Sequence, residues 1–221
     1  MTDLNPRPRA VIFDMDGLML DTERPLVQLW EKVGKTYGYD IGPDILIRTM
    51  GIDEAGTRAI IEAEFPPDFP YDQIRGEVRG LYREELDRGI SLKAGLITLL
   101  DHLAALKIPA GVATTTKRES ALGKLAKAGI IERFEIITGG DEVSRGKPAP
   151  DIFLLAAERL GKAPSDCIGF EDSPAGLRGL HAAGIPSVFV KDLAEPPAEV
   201  LAAVYKIYNN LAEAVELFSG G

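Results

Sequence analysis

Arg9-Ala10-Val11-Ile12, followed by Phe13-Asp14-Met15-Asp16-Gly17, is the stretch whose reading decides the fold. The short apolar run reads as a buried strand. Two carboxylates then stand where the strand ends and the chain turns, and Gly17 tolerates a tight loop. In open α/β sheets ligands bind outside the carboxyl ends of the strands. Two carboxylates this close repel when both are ionised, so one pKa rises unless a cation joins them. An Asp-x-Asp alone is also compatible with a strand that simply ends in an acidic turn. The rest of the chain has to choose between these readings.

Working outward, the pattern after Gly17 changes to helical spacing. Glu23 to Tyr39 carries Leu26, Leu29, Trp30, Val33 and Tyr37 on one face. Asp44 to Arg48, Glu54 to Glu64 and Tyr71 to Arg88 read as further helices, with Phe65-Pro66-Pro67 as punctuation. No convincing strand lies between about 20 and 91. A helical insert is expected there, joined to a strand-rich core by linkers near 18–22 and 89–94.

Beyond Gly95 strands and helices alternate. Strands are expected at 109–113, 134–138, 167–170 and 187–190, with an edge strand at 204–208. Helices are expected at 96–106, 119–128, 151–160, 174–183 and 211–218, several of them closed by glycine. Pro174 suits the first turn of its helix. This alternation means βαβ units and a doubly wound, Rossmann-like parallel sheet covered on both faces. Residues 1–19 and 92–221 would form that α/β core, and 20–91 a helical cap.

Composition narrows the function. The 221 residues carry a net charge of −9 with no basic stripe, which argues against nucleic acid as a partner. Apolar residues make up 45%, enough for a proper core. Cys167 is the sole cysteine, so no intramolecular disulfide exists and a buried, inert thiol is expected. Met1 to Arg9 is polar and holds two prolines, unlike a signal peptide. No run approaches the roughly 20 apolar residues of a membrane span. A cytoplasmic monomer acting on a small metabolite is expected.

Three polar clusters fall at strand ends: Asp14/Asp16, Thr114/Thr115/Thr116 and Glu171/Asp172. A fourth feature, Lys147, lies in Ser144-Arg145-Gly146-Lys147-Pro148-Ala149-Pro150 before a helix. Singly, Thr114 reads as a helix cap, Lys147 as a solvated loop lysine and Glu171-Asp172-Ser173-Pro174 as a helix start. Parallel strands put their carboxyl ends on one edge, so all four can converge. The set then suits Mg²⁺, a hard cation that prefers oxygen. Asp14 can ligate it and attack phosphorus. Asp16 can protonate the leaving oxygen and later activate water. The Thr114 hydroxyl and amide can meet a phosphoryl oxygen, beside Thr115, and Lys147 supplies fixed positive charge. Glu171 and Asp172 complete the metal site.

Phe13-Asp14-Met15-Asp16-Gly17, Val112-Ala113-Thr114, Gly146-Lys147-Pro148-Ala149-Pro150-Asp151-Ile152-Phe153 and Ile168-Gly169-Phe170-Glu171-Asp172-Ser173 resemble, in order, the four signature motifs of the haloacid dehalogenase-like hydrolase superfamily. The acid at position 16 is similar to the phosphatase and phosphomutase branch, since family dehalogenases lack it. The insert resembles the small helical cap of the β-phosphoglucomutase and sugar-phosphate phosphatase subgroup. The resemblance implies Asp14 as nucleophile and Asp16 as general acid/base, with Thr114 and Lys147 on the phosphoryl group. It implies Mg²⁺ on Asp14, the Asp16 carbonyl and Asp172, with Glu171 close by or ligating.

The cap separates phosphatase from mutase. Where β-phosphoglucomutase has a cap histidine, this chain has Leu26. Where that family's cap loop grips a second phosphate with lysine and arginine, Met50-Gly51-Ile52-Asp53-Glu54 offers Met50 and a repelling Glu54. A phosphatase is therefore expected, with a mutase as the alternative if Arg48 or Arg58 serves instead. A third reading is a catalytically idle binding protein on the same fold. Leu92-Lys93-Ala94-Gly95 also departs from the usual Pro-Gly return. Trp30 is expected in the cap core, and His102 and His181 in packing or surface roles. Glu23 stands at the cap entrance, either touching the site or merely starting a helix.

Overall fold

The computed structural model describes residues 8–219, so the amino-terminal reading falls largely outside the described residues. Strand β1 (Ala10–Phe13) is buried along its whole length. Its alternating side chains serve two cores. Val11 and Phe13 face one apolar cluster, and Ala10 and Ile12 face another. The first cluster includes Leu96, Leu99, Leu100 and Leu103 of α5 (Leu96–Ala105) and Ala121 and Leu125 of α6 (Arg118–Lys127). The second takes Ile152, Phe153, Ala156 and Ala157 of α7 (Asp151–Arg159) and Leu180 of α8 (Pro174–Ala182).

The remaining strands are β2 (Ala110–Ala113), β3 (Ile136–Thr138), β4 (Cys167–Glu171), β5 (Ser187–Val190) and β6 (Lys206–Tyr208). They form one six-stranded sheet in the order β3-β2-β1-β4-β5-β6, every pairing parallel. The chain leaves β1 toward β2 and β3, then crosses back to add β4 on the opposite side. β1 therefore sits at the switch in winding direction, flanked by β2 and β4. This is the expected doubly wound fold.

Helices α1 (Glu23–Thr36), α2 (Pro43–Ile47), α3 (Glu54–Glu62) and α4 (Tyr71–Arg88) follow β1. They enclose a separate cluster around Trp30, Val33, Ile61, Tyr71, Ile74 and Val78, with the Trp30 and Tyr71 rings 5.8 Å apart. The segments leading into and out of this block meet in an antiparallel bridge between Leu20 and Leu92. Gly95 holds φ +83°, and a Cβ there would strike the Ala212 backbone, so this turn keeps its glycine although Ala94 replaces proline.

Three departures from expectation stand out. α1 stops at Thr36 because the Gly34 carbonyl takes the amides of both Tyr37 and Tyr39 around Gly38, whose φ is +80°. The expected closing helix is instead a 3-10 turn over Glu213–Phe218, entered through Asn210, whose side chain accepts from the Ala212 and Glu213 amides. A short helix, α9 (Ala198–Leu201), follows Pro197 and is too brief to leave a periodic signal.

Candidate active site

The three central strands deliver their polar ends side by side. Asp14 follows β1, and its amide donates to the Phe170 carbonyl at 3.0 Å, extending the β1–β4 ladder. Glu171 ends β4. Lys147, only 2% exposed, reaches both acids: its ammonium donates to Asp14 Oδ1 and, at 2.6 Å, to Glu171 Oε1. The Lys147 ammonium also lies 4.9 Å from the centre of the Phe153 ring in α7. The loop lysine is thus a buried one.

The other Glu171 oxygen accepts from the Asp172 and Ser173 amides at 3.0 and 2.9 Å and from the Ser173 hydroxyl at 2.9 Å. Ser173 Oγ in turn caps α8 by accepting from the Gly176 amide at 3.1 Å, with Pro174 in the first turn. Both Glu171 oxygens are therefore engaged. Its visible task is to orient Lys147 and hold the loop that carries Asp172.

Asp16 faces a different set. Its carboxylate accepts from Thr22 and Thr116 hydroxyls at 2.7 Å each and from the Lys124 ammonium at 2.6 Å. Burial alone would raise its pKa, but Lys124 and the two hydroxyls bring it below the ordinary aspartate value. Lys124 projects from α6 and also sits 5.7 Å from the ring centre of Tyr82 in α4, so it spans sheet and helical block.

The threonine cluster sorts itself. The Thr114 amide donates to the Thr138 carbonyl at 3.1 Å, so the expectation that it meets a phosphoryl oxygen is not met here. Sheet pairing between β2 and β3 simply continues one residue further. The Thr114 hydroxyl accepts from the Thr116 amide at 3.1 Å, which leaves its own proton available. Thr115 packs its backbone against Gly140, and the hydroxyl that reaches an active-site acid belongs to Thr116.

Asp14, Glu171 and Asp172 each bring one carboxylate oxygen within 4.8 Å of the others. Asp172 is 2% exposed, and its Oδ1 is buried without a hydrogen-bond partner among the described residues. Burial raises the Asp14 pKa to about 7, with Lys147 opposing and Glu171 assisting. Burial and then the charges of Glu23 and Glu171 push Asp172 upward too. An excess of buried negative charge, an orphaned oxygen and an all-oxygen donor set fit a hard divalent cation. Asp14 and Asp172 are the carboxylates placed to hold it. Asp16 turns its carboxylate away, so only its backbone carbonyl remains to contribute.

Sequence reasoning missed Lys124 and Thr22, and it preferred Thr115 to Thr116. Lys124 has the spacing of an ordinary solvated helix lysine and carried no signal. Cys167 is buried, with its thiol pushed up to about 11 by burial, as expected of an inert group.

Residues 11–190 match the haloacid dehalogenase-like hydrolase family. A phosphorylated carbohydrates phosphatase of Thermotoga maritima is 29% identical over 81% of this chain and 83% of its own. Fructose-1-phosphate phosphatase YqaB of Escherichia coli is 33% identical over 84% of this chain and 97% of its own. Among solved structures, β-phosphoglucomutase from Clostridium difficile superposes with a TM-score of 0.77 at 25% identity, covering 93% of this chain and 92% of that one. With two thirds of the chain and more inside the match, and its four polar clusters gathered on one sheet edge, this protein belongs to the haloacid dehalogenase-like hydrolase family.

Proposed function

We propose that this chain is a Mg²⁺-dependent phosphatase of small phosphomonoesters, sugar phosphates foremost, and that it works through an aspartyl-phosphate on Asp14. The observation that carries the reading is the buried Asp14–Lys147–Glu171 set at the mouth of β1 and β4, beside the unpartnered Asp172. Bound Mg²⁺ supplies charge that offsets the phosphoryl oxygens next to an anionic nucleophile. Asp14 attacks phosphorus and the bond to the sugar oxygen breaks. Lys147 holds the transferring group, and the Thr114 hydroxyl donates to one of its oxygens. Asp16 gives a proton to the leaving oxygen, then takes one from the water that cleaves the acyl phosphate. To do so its carboxylate must leave Lys124 and both threonine hydroxyls, the partners that hold it ionised, and take up a proton as it turns toward Asp14.

Residues 20–91 act as the cap. The loop at its tip lies on the core: a Cβ on Gly51 would run into the Ser173 side chain, and Asp53 lies beside Gly146. That placement covers the crevice and excludes water while the ester reacts.

The mutase alternative loses its remaining cations. Arg48 donates to Glu64 at 2.6 Å, and Arg58 donates to Glu62 at 2.9 Å and to Asp72 at 3.0 Å. Glu54 pairs with Arg75. The arginines that were candidates to grip a distal phosphate are tied to acids of their own helical block. Leu26 joins the apolar cluster there and Met50 is buried.

A phosphate-release screen over sugar phosphates with Mg²⁺ tests the reading. Release is expected, and Asp14→Asn is expected to lower it at least about a thousandfold with the fold intact. Conversion of β-glucose 1-phosphate to glucose 6-phosphate without free phosphate, given a trace of bisphosphate, favours the mutase. No release from p-nitrophenyl phosphate or any sugar phosphate favours the idle binding protein.

A further inference from the structure

A second set of acids, unused by the reaction above, adjoins the first. Glu23 opens α1 at the entrance to the helical block, and Asp192 follows β5. One oxygen each from Glu23, Asp172 and Asp192 lie within 4.8 Å of one another. Glu23 Oε2, Asp172 Oδ1 and Asp192 Oδ2 are all buried, and none has a hydrogen-bond partner among the described residues. The Asp192 side chain is 3% exposed. Gly17 lies against this set: a Cβ there would collide with Asp172 Oδ2 and come within 2.7 Å of Glu23 Oε2.

The partners of Asp192 divide by oxygen. Its Oδ1 accepts from Arg24 at 2.5 Å and from Lys93 at 2.6 Å. Arg24 stands just past the chain's exit into the helical block, and Lys93 on its return. The return is also tied to the exit by the Lys93 amide, which donates to the Met19 carbonyl at 2.9 Å. Both cations thus serve one oxygen, and the other is left without a donor among the described residues.

Three carboxylates packed this closely, each with one buried oxygen left unpartnered, are costly unless a cation joins them. Oxygen-only donors select a hard dication. We propose that Glu23 and Asp192 complete the divalent-cation site that begins at Asp172, directly or through a bound water, so that the ion is held from the cap's first helix as well as from the sheet. The inference rests on the reading of Asp172 as a metal ligand and adds a link to it. Filling the site relieves the repulsion between Glu23 and Asp172, so metal loading draws α1 onto the sheet edge at the crossing that Asp192 clamps.

The test is calorimetric titration of Mn²⁺ into the full chain without substrate. Glu23→Gln and Asp192→Asn are expected to weaken Mn²⁺ binding about 10- to 100-fold. Asp21→Asn removes a neighbouring charge from the same linker while Arg24 keeps its bond to Asp192, and is expected to stay within about twofold of wild type. Wild-type affinity in Glu23→Gln, or an equal loss in Asp21→Asn, overturns the inference. Asp192→Asn also strips Arg24 and Lys93 of a partner, so Glu23→Gln carries the decision wherever that variant melts. Asp172→Asn separates the two ideas. Wild-type Mn²⁺ affinity there removes the metal reading itself, whereas loss there with none in Glu23→Gln removes only the link. Hydrogen exchange gives a second readout: Mn²⁺ is expected to slow amide exchange across 18–24 in the wild type and not in Glu23→Gln. Equal slowing in both overturns the coupling to α1.

Discussion

The sheet edge and the helical block both hold many ion pairs, yet they use them differently. Lys147 and Glu171 meet with neither side chain exposed, whereas Arg48 and Glu64 meet with 51% and 39% of theirs in water. In the block, acids and bases pair across exposed helix surfaces, where solvent screens them and the apolar cluster around Trp30 supplies the stability. At the sheet edge the charges are desolvated, and each depends on its partners being present. The difference teaches where substitutions will hurt. A buried charge set retained at the end of a sheet is held for chemistry, because an apolar replacement of the same size would cost the fold less.

The largest expected effect tests that contrast directly. Lys147→Met leaves Asp14 and Glu171 buried without their cation. It is expected to destabilise the metal-free protein by about 3–5 kcal/mol, read by urea denaturation, and to abolish phosphate release. A loss below about 1 kcal/mol would place the sheet edge in the same class as the block.

The next effect is on pH. Asp14 titrates near 7 when folded against 3.8 as its ordinary value, and Asp172 and Glu23 are shifted in the same direction by burial first and neighbouring acids second. Between those limits the folded state holds protons that the unfolded chain has released. Stability of the metal-free protein therefore falls as pH rises from about 4 to 7. Between pH 5 and 7 the fall is on the order of 2 kcal/mol from Asp14 alone. Saturating Mg²⁺ should flatten the slope, because a bound dication favours the carboxylates. Melting curves at both pH values, with EDTA or with Mg²⁺, check the sign; a metal-free protein that grows more stable across this window contradicts it.

The smallest effect belongs to the block. Arg48→Ala breaks a solvated pair and is expected to change stability by less than about 1 kcal/mol and to leave phosphate release unchanged. A marked loss of release from this variant would restore Arg48 as a substrate contact and reopen the mutase reading.

Much of this molecule was legible in its sequence, for identifiable reasons. The apolar runs at 9–12, 109–113, 167–170 and 187–190 needed only their length and flanking turns to be read as buried strands. Alternation with helices then implied a parallel sheet, and a parallel sheet places Asp14, Thr114 and Glu171 on one edge whatever their separation along the chain. Ala198–Leu201 escaped, because a single helical turn carries no periodicity, and Glu213–Phe218 was placed but read as an α-helix where a 3-10 turn forms.

What the sequence by itself determined is therefore the architecture and the polar groups gathered at one sheet edge, since both follow from local periodicity and from the end at which each strand stops. What only the tertiary structure decided is which charges meet. Lys124 holds Asp16 across 108 positions, Lys93 holds Asp192 across 99, and both Glu171 oxygens are engaged before a metal arrives. A lysine on a helix reads the same whether its ammonium ends in water or on a buried carboxylate. The choice is made by the packing of distant elements that removes water from one of those places.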